Sequence, residues 1–301
     1  MRVFRLLIHT AIVAALAATA AAASSRDSLL VSTAWLAEHL KDPNLALLHV
    51  GEKEDYDARH IPGAVYVSLR DISAYNVGER ELTLEMLPAD QLRERLAALG
   101  ISDDSRIVVY YGKDWVSPST RVIFTLDYAG LQNVSLLDGG MQAWIRDGHE
   151  VTDVAPAARL GTLSPLKIQS KIVDADFVRA HVNTPHYAVV DARAPALYDG
   201  STTGGSKERP HKTGHVAGAR SIPFSSVTNE DLTWKSTDDL QKLFAGAGIQ
   251  PGDTVITYCH IGQQATATLF AARLLGYPVH LYDGSFEDWS RRNYPVENPS
   301  K

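Results

Sequence analysis

The sequence predicts an α/β protein: two doubly wound domains in tandem, each a mostly parallel sheet with helices on both faces. Three observations predict it. Short β-branched or aromatic runs alternate with amphipathic helical stretches along the chain. The same succession is written twice. Two motif pairs also recur at matching places. His60-Ile61-Pro62-Gly63-Ala64 returns as His215-Val216-Ala217-Gly218-Ala219, and Asp138-Gly139-Gly140 before Trp144 returns as Asp283-Gly284-Ser285 before Trp289. The expected division is a targeting segment over 1–23, a first domain over 24–151, a linker over 152–165 and a second domain over 166–301.

Taken in order, Arg2 and Arg5 precede the apolar run Leu6 to Ala18, and small residues Ala20 to Ala23 lead to Ser24. These are the three parts of a secretory signal, with cleavage after Ala23, so export to the periplasm is expected. The run is short and alanine-rich for a membrane span. No cysteine follows it, which excludes a lipoprotein, and nothing later is apolar enough to insert.

In the first half, Ser32 to Leu40 reads as a helix capped by Ser32 or Thr33. Strands follow at Ala46 to Val50 and Val65 to Val67. Pro88 to Leu99 is a helix ending at Gly100. Ile107 to Tyr111 is a strand, Thr120 to Tyr128 a helix stopped by Gly130, and Val134 to Leu137 a strand. Thr152 to Ser164, with Pro156 and Gly161, reads as linker. In the second half, Asp174 to His181 is a helix, Tyr187 to Val190 a strand, and Asp238 to Ala245 a helix. Val255 to Tyr258 and Val279 to Tyr282 complete the strands.

The chemistry concentrates between Thr254 and Leu275. Cys259, the only cysteine in the chain, follows a strand and precedes a helix that begins at Ala265. His260, Ile261, Gly262, Gln263 and Gln264 form the loop between them. N–H groups converge in such a loop, and the helix start adds unpaired donors and positive dipole. This makes a cradle for an anion centred on sulfur, and the thiolate is the nucleophilic form of cysteine. A lone cysteine is ordinarily a small buried hydrophobe. Here its place at a strand-to-helix turn, with Gly262 allowing close backbone approach, argues for a reactive one. A free thiol in an oxidising compartment points the same way. Superposing the halves sets Tyr111 opposite Cys259, with Gly112 to Pro118 as a longer and differently built loop. Tyr111 supplies no thiolate, so the first half is expected to be inactive and to wall the site.

With one cysteine there is no internal disulfide. A net charge of −6 argues against nucleic-acid and anionic-membrane partners. Histidines show no ligand-like spacing around the thiol, so no metal and no cofactor are expected. Cysteine phosphatases need an arginine six residues after the nucleophile, and Ala265 stands there.

Together, Gly214 to Ala219, Asp191-Ala192-Arg193, the Cys259 loop, and Asp283 to Trp289 resemble the rhodanese family of sulfurtransferases in its tandem form. The resemblance runs over about residues 30 to 295. It implies two rhodanese-like domains, the second catalytic, with Cys259 carrying a transferred sulfur as a persulfide held by loop amides. It implies thiosulfate as donor and cyanide or a thiol as acceptor, in a double displacement by a monomer. 3-Mercaptopyruvate as donor and a non-enzymatic persulfide carrier are the alternatives. His260 to Gln264 and Arg193 would bind substrate, with Asp191 and Ala265 in support. The chain also departs from the family. Thiosulfate enzymes place cations after the cysteine, where His260 and Ile261 stand. Mercaptopyruvate enzymes have a small Gly-Ser-Gly-Val-Thr loop, which Gln263 and Gln264 do not match. Both place an arginine at the position of Leu197. Replacement cations are sought in Arg193, His260, and the insertion 200–214 with Lys207, Arg209, His211 and Lys212.

Overall fold

Strand pairing in the computed structural model, which describes residues 26–75, 81–207 and 209–300, builds two five-stranded sheets that are parallel throughout. The N-terminal run read as an export signal lies outside the described residues. The first half runs β1 (Leu30–Val31), α1 (Thr33–His39), β2 (Leu45–Val50), α2 (Lys53–Ala58), β3 (Val65–Tyr66), α3 (Leu69–Ile72), β4 (Ser73–Tyr75) and β5 (Thr83–Met86). It continues with α4 (Ala89–Ala98), β6 (Arg106–Tyr111), α5 (Val116–Tyr128), β7 (Val134–Leu137) and α6 (Gly140–Arg146). The second half runs β8 (Ile172–Val173), α7 (Ala175–His181), β9 (Tyr187–Asp191), α8 (Pro195–Tyr198), β10 (His215–Val216) and β11 (Arg220–Ser221). Then come α9 (Thr237–Gly246), β12 (Thr254–Tyr258), α10 (Ala265–Leu274), β13 (Val279–Tyr282), α11 (Ser285–Arg291) and β14 (Val296–Glu297).

The sheet orders are β1-β7-β6-β2-β3 and β8-β13-β12-β9-β11, so the halves share one topology. The repeated motifs have repeated jobs. His60 stacks on Tyr56 with ring centroids 4.0 Å apart, and His215 stacks on Tyr198 at 3.7 Å. The Trp144 indole N–H donates to the Glu150 carbonyl at 2.8 Å, and that of Trp289 to the Pro295 carbonyl at 2.9 Å. The Tyr110 hydroxyl accepts from the Ile61 N–H at 3.0 Å, and the Tyr258 hydroxyl from the Val216 N–H at 3.0 Å. Register agrees: Tyr110 pairs with His49 and Tyr258 with Asp191. Tyr111 is therefore the counterpart of Cys259, as the sequence predicts.

Parallel strands bury both faces, which is why β6 and β12 read as nearly continuous runs of β-branched and aromatic residues. Helices α5 and α10 each cover one sheet and meet each other between the halves. Val122, Ile123 and Leu126 from α5 join Ala267, Phe270 and Leu274 from α10 in one apolar cluster that also takes in core residues of both sheets. The halves thus share a core rather than touching through a wet surface.

One expectation is corrected. Helix α5 begins at Val116, not Thr120, so the first-half loop is a turn over 112–115 and is not the longer of the two. Pro118 falls in the first turn of this helix, where a backbone N–H has no intrahelical acceptor and its absence costs nothing. The segment between the halves carries no long element but is tied down. The His60 N–H donates to the Thr152 carbonyl at 2.8 Å, and the Gly161 N–H to the Ala97 carbonyl at 2.8 Å. A Cβ on Gly161 would lie 2.0 Å from the Ile101 carbonyl oxygen, so only glycine permits this approach. No helix among the described residues is long and apolar enough to cross a membrane.

Candidate active site

Cys259 stands just past the C-terminal end of β12, where parallel α/β sheets present their sites. It is a free thiol and only 1% exposed. Phe124 from the first half belongs with Cys259, Ala192, Ala265, Leu269 and Leu281 to one apolar cluster, so both halves pack into the core that holds the thiol.

The loop is held by its carbonyls. The Phe286 N–H donates to the Cys259 carbonyl and the Glu287 N–H to the His260 carbonyl, both at 3.0 Å. The Cys259 N–H donates to Ser285 Oγ at 3.1 Å, and that hydroxyl donates to the Tyr282 carbonyl at 2.9 Å. Ser285 takes φ 52, an uncommon value for a residue with a side chain; its counterpart Gly140 has φ 53. These bonds anchor the start of α11 against the loop. By contrast, the backbone N–H groups from His260 to Ala265 have no acceptor among the described residues. Gln264, which opens α10, offers its side chain as no cap. The result is a run of free donors at a helix start, beside a thiol. Gly262 turns the loop at φ 80, and a Cβ there would lie 2.6 Å from Asp283 Oδ1.

Asp191 and Arg193 form a buried pair on the adjoining strand end. The guanidinium donates through Nη2 to Asp191 Oδ2 at 2.6 Å and to the Gly214 carbonyl at 2.8 Å, and through Nε to Asp191 Oδ1 at 3.0 Å. It stacks over Phe286 at 3.9 Å. Burial pulls the Arg193 pKa down, but the bonds to Asp191 outweigh it and the net shift is upward. Asp191 also accepts from the Tyr258 hydroxyl at 2.8 Å, so it orients neighbours. Nη1 of Arg193 has no hydrogen-bond partner among the described residues.

His260 meets His211 of the insertion, with Nδ1 atoms 3.4 Å apart. Burial above all, then the positive neighbours, lowers each pKa to about 4, so both rings are neutral near pH 7. Of the other insertion cations, Lys207 is exposed, while Arg209 and Lys212 are committed elsewhere. Arg209 donates to Thr83 Oγ1 at 2.9 Å and pairs with Glu287 at 3.1 Å, tying the insertion to the first half. Lys212 donates to the Tyr294 carbonyl at 2.7 Å. Of the replacement cations sought in the sequence, Arg193 is the buried one beside the thiol loop, with a nitrogen that has no partner among the described residues.

A rhodanese-like domain model matches residues 32–147 and again 174–292. The chain belongs to the rhodanese family. Relatives of similar length include the sulfur carrier protein TtuD of Thermus thermophilus, 32% identical over 88% of this chain and 94% of that protein. The thiosulfate sulfurtransferase of Rattus norvegicus is 30% identical over 90% of this chain and 95% of its own. Among solved structures, YnjE superposes with a TM-score of 0.79 at 27% identity, covering 91% of this chain and 70% of that one. An anaerobic ergothioneine biosynthesis enzyme from Chlorobium limicola shares the fold, with a TM-score of 0.77 at 21% identity, 91% of this chain and 71% of that one.

The rhodanese site has one support that sequence reasoning missed. Arg121 of α5 is fully buried, donates to the Gly262 carbonyl at 3.1 Å and pairs with Asp283. Thr120 Oγ1 shares a 2.8 Å hydrogen bond with Thr266 Oγ1, and Gln263 Nε2 donates to Ser117 Oγ at 3.3 Å. Helix α5 thus grips the loop from behind. The available signal was a lone arginine in an otherwise apolar helical stretch.

Removing Arg121 strands Asp283 in the interface. Arg121→Met is expected to cost about 3–5 kcal/mol, read as a lowered urea midpoint; an unchanged midpoint contradicts the grip. The histidine pair sets a pH dependence. The unfolded chain protonates these imidazoles near 6.5 and the folded chain near 4, so the unfolded state binds more protons between those values. Stability should therefore fall as pH drops from 6.5 toward 4, and a His211→Gln/His260→Gln double variant should fall less steeply. His49 shares the direction, so some slope remains.

Proposed function

We propose that the chain is a thiosulfate sulfurtransferase that moves a sulfane sulfur to a thiophilic acceptor through a persulfide on Cys259. The observation that carries this reading is the run of unpaired N–H groups from His260 to Ala265 beside a buried thiol. The Cys259 thiolate attacks the outer sulfur of thiosulfate. The new S–S bond forms as the old one breaks, and sulfite leaves with the electron pair. The loop donors stabilise the terminal persulfide sulfur, as an oxyanion hole stabilises oxygen. The acceptor then attacks that sulfur and Cys259 departs as thiolate. Arg193 supplies the fixed positive charge on the donor side. No residue from a second chain is required, so a monomer suffices. On the same proposal, residues 1–23 are an export signal and the chemistry runs in the periplasm.

A second reading is favoured by one observation: neutral His260 and Ile261 stand where thiosulfate enzymes of the family carry cations. This leaves the site open to a partner-fed persulfide, as in a sulfur carrier, or to 3-mercaptopyruvate as donor.

Intact mass of the purified protein before and after thiosulfate tests the first reading. A gain of one sulfur atom, absent in Cys259→Ser and reversed by cyanide, is expected. Initial rates with both substrates varied should give parallel lines. No gain with thiosulfate but a gain with 3-mercaptopyruvate would move the donor. No gain with either, from an unoxidised thiol, contradicts an enzyme of this kind.

A further inference from the structure

Sulfur transfer to a thiol has a proton problem. The acceptor arrives as R–SH, but its nucleophilic form is the thiolate, and the product persulfide carries a proton on the sulfur that was taken. The site holds two side chains suited to that transfer.

His260 directly follows Cys259, and His211 reaches it from the insertion, with Nδ1 atoms 3.4 Å apart and ring planes 32° apart. Two ring nitrogens at that separation bond only when one carries hydrogen and the other a lone pair. In a neutral pair this fixes the outer edges. The ring donating through Nδ1 presents a bare Nε2, and its partner presents Nε2–H. One edge takes a proton while the other gives one.

The surroundings keep the pair in this state. His211 sits edge-on to Phe286, ring centroids 5.9 Å apart, and the Phe286 N–H holds the Cys259 carbonyl at 3.0 Å. The Arg193 charge acts on both His211 and His260. Asp191 faces His260, while Glu287 and Arg291 face His211. Gly204 lies over both rings. A Cβ there would be 2.6 Å from His260 Cε1 and 3.4 Å from His211 Nδ1, so the insertion covers the pair.

We propose that His211 and His260 form a proton relay serving thiol acceptors, a role that rests on the persulfide reading above. The bare Nε2 takes the proton of R–SH as its sulfur bonds to the outer sulfur of the Cys259 persulfide. The Cys259 S–S bond breaks and its electron pair stays on Sγ. The proton crosses the Nδ1 contact and leaves from the other Nε2 to solvent, and solvent protonates the departing sulfur. The sum is R–SH plus Cys259–S–S⁻ giving R–S–SH plus Cys259–S⁻, with one hydrogen and one negative charge on each side. Cyanide as anion brings no proton and needs no relay.

The full chain is loaded to the persulfide with excess donor, and loss of the added sulfur is timed by mass. Acceptors are 2-mercaptoethanol and, above its own pKa, cyanide. In His260→Gln and in His211→Gln, transfer to the thiol should fall roughly 100-fold, the scale of general acid–base catalysis, and the ratio of thiol to cyanide rates should fall with it. The double variant should be no slower than either single, since the rings act as one unit. Wild type should show a solvent deuterium isotope effect with the thiol and none with cyanide, a readout that stands if a variant misfolds. Equal slowing with both acceptors, multiplicative losses in the double variant, or an isotope effect absent with the thiol overturns the relay alone. A wild type that never loads sulfur overturns the persulfide reading and the relay with it.

Discussion

Backbone donors without acceptors are the constraint on which the second half is built. A shielded N–H left unpaired costs about 1–3 kcal/mol, and proteins rarely tolerate several in a row. Here no N–H from His260 to Ala265 has an acceptor among the described residues, in a half-buried loop directly after the only cysteine. Such a loop would relax by turning its amides toward internal acceptors unless something held it. Three things do. The start of α11 binds the Cys259 and His260 carbonyls, Ser285 takes the Cys259 N–H, and Arg121 binds the Gly262 carbonyl. Each grips an atom pointing away from the cradle and leaves the donors for a ligand.

The first half shows what the same fold does without that task. Tyr111 fills the place of Cys259, and its hydroxyl donates to the Leu232 carbonyl at 2.6 Å, so it crosses to the second half as a structural tie. His49 and Gly51 stand where Asp191 and Arg193 do in the second half. His49 is buried with neither ring nitrogen partnered among the described residues, and burial lowers its pKa to about 4. The buried Asp191–Arg193 charge pair therefore has no equivalent at these two positions. What the first half contributes is α5, whose Phe124 shares an apolar cluster with Cys259 and whose Arg121 braces the loop. The two halves thus share one fold, with the cysteine in the second and a helix of the first braced against its loop.

Much of this was legible in the chain. β6 and β12 are mostly β-branched and aromatic, and parallel strands buried on both faces read that way. The His-x-x-Gly-Ala and Asp-Gly motifs could be seen to repeat because each performs the same stacking or hydrogen bond in both halves. The Cys259 loop was legible because strand, thiol, glycine and helix follow one another locally. Other features were not. The elements α2, α3, α8, β10 and β14 are too short for periodicity to register. The start of α5 was placed late because Pro118 reads as a breaker, although a first turn accepts it. Arg121, Ser285 and His211 act across long sequence separations, and nothing local marks their partners.

The cradle claim is tested most directly by a crystal structure of the protein after thiosulfate treatment. The account predicts one extra sulfur bonded to Cys259 Sγ, within hydrogen-bond reach of N–H groups between His260 and Ala265, with the loop unmoved. An added sulfur that touches none of those donors, or a loop whose N–H groups have turned to internal acceptors, would contradict it.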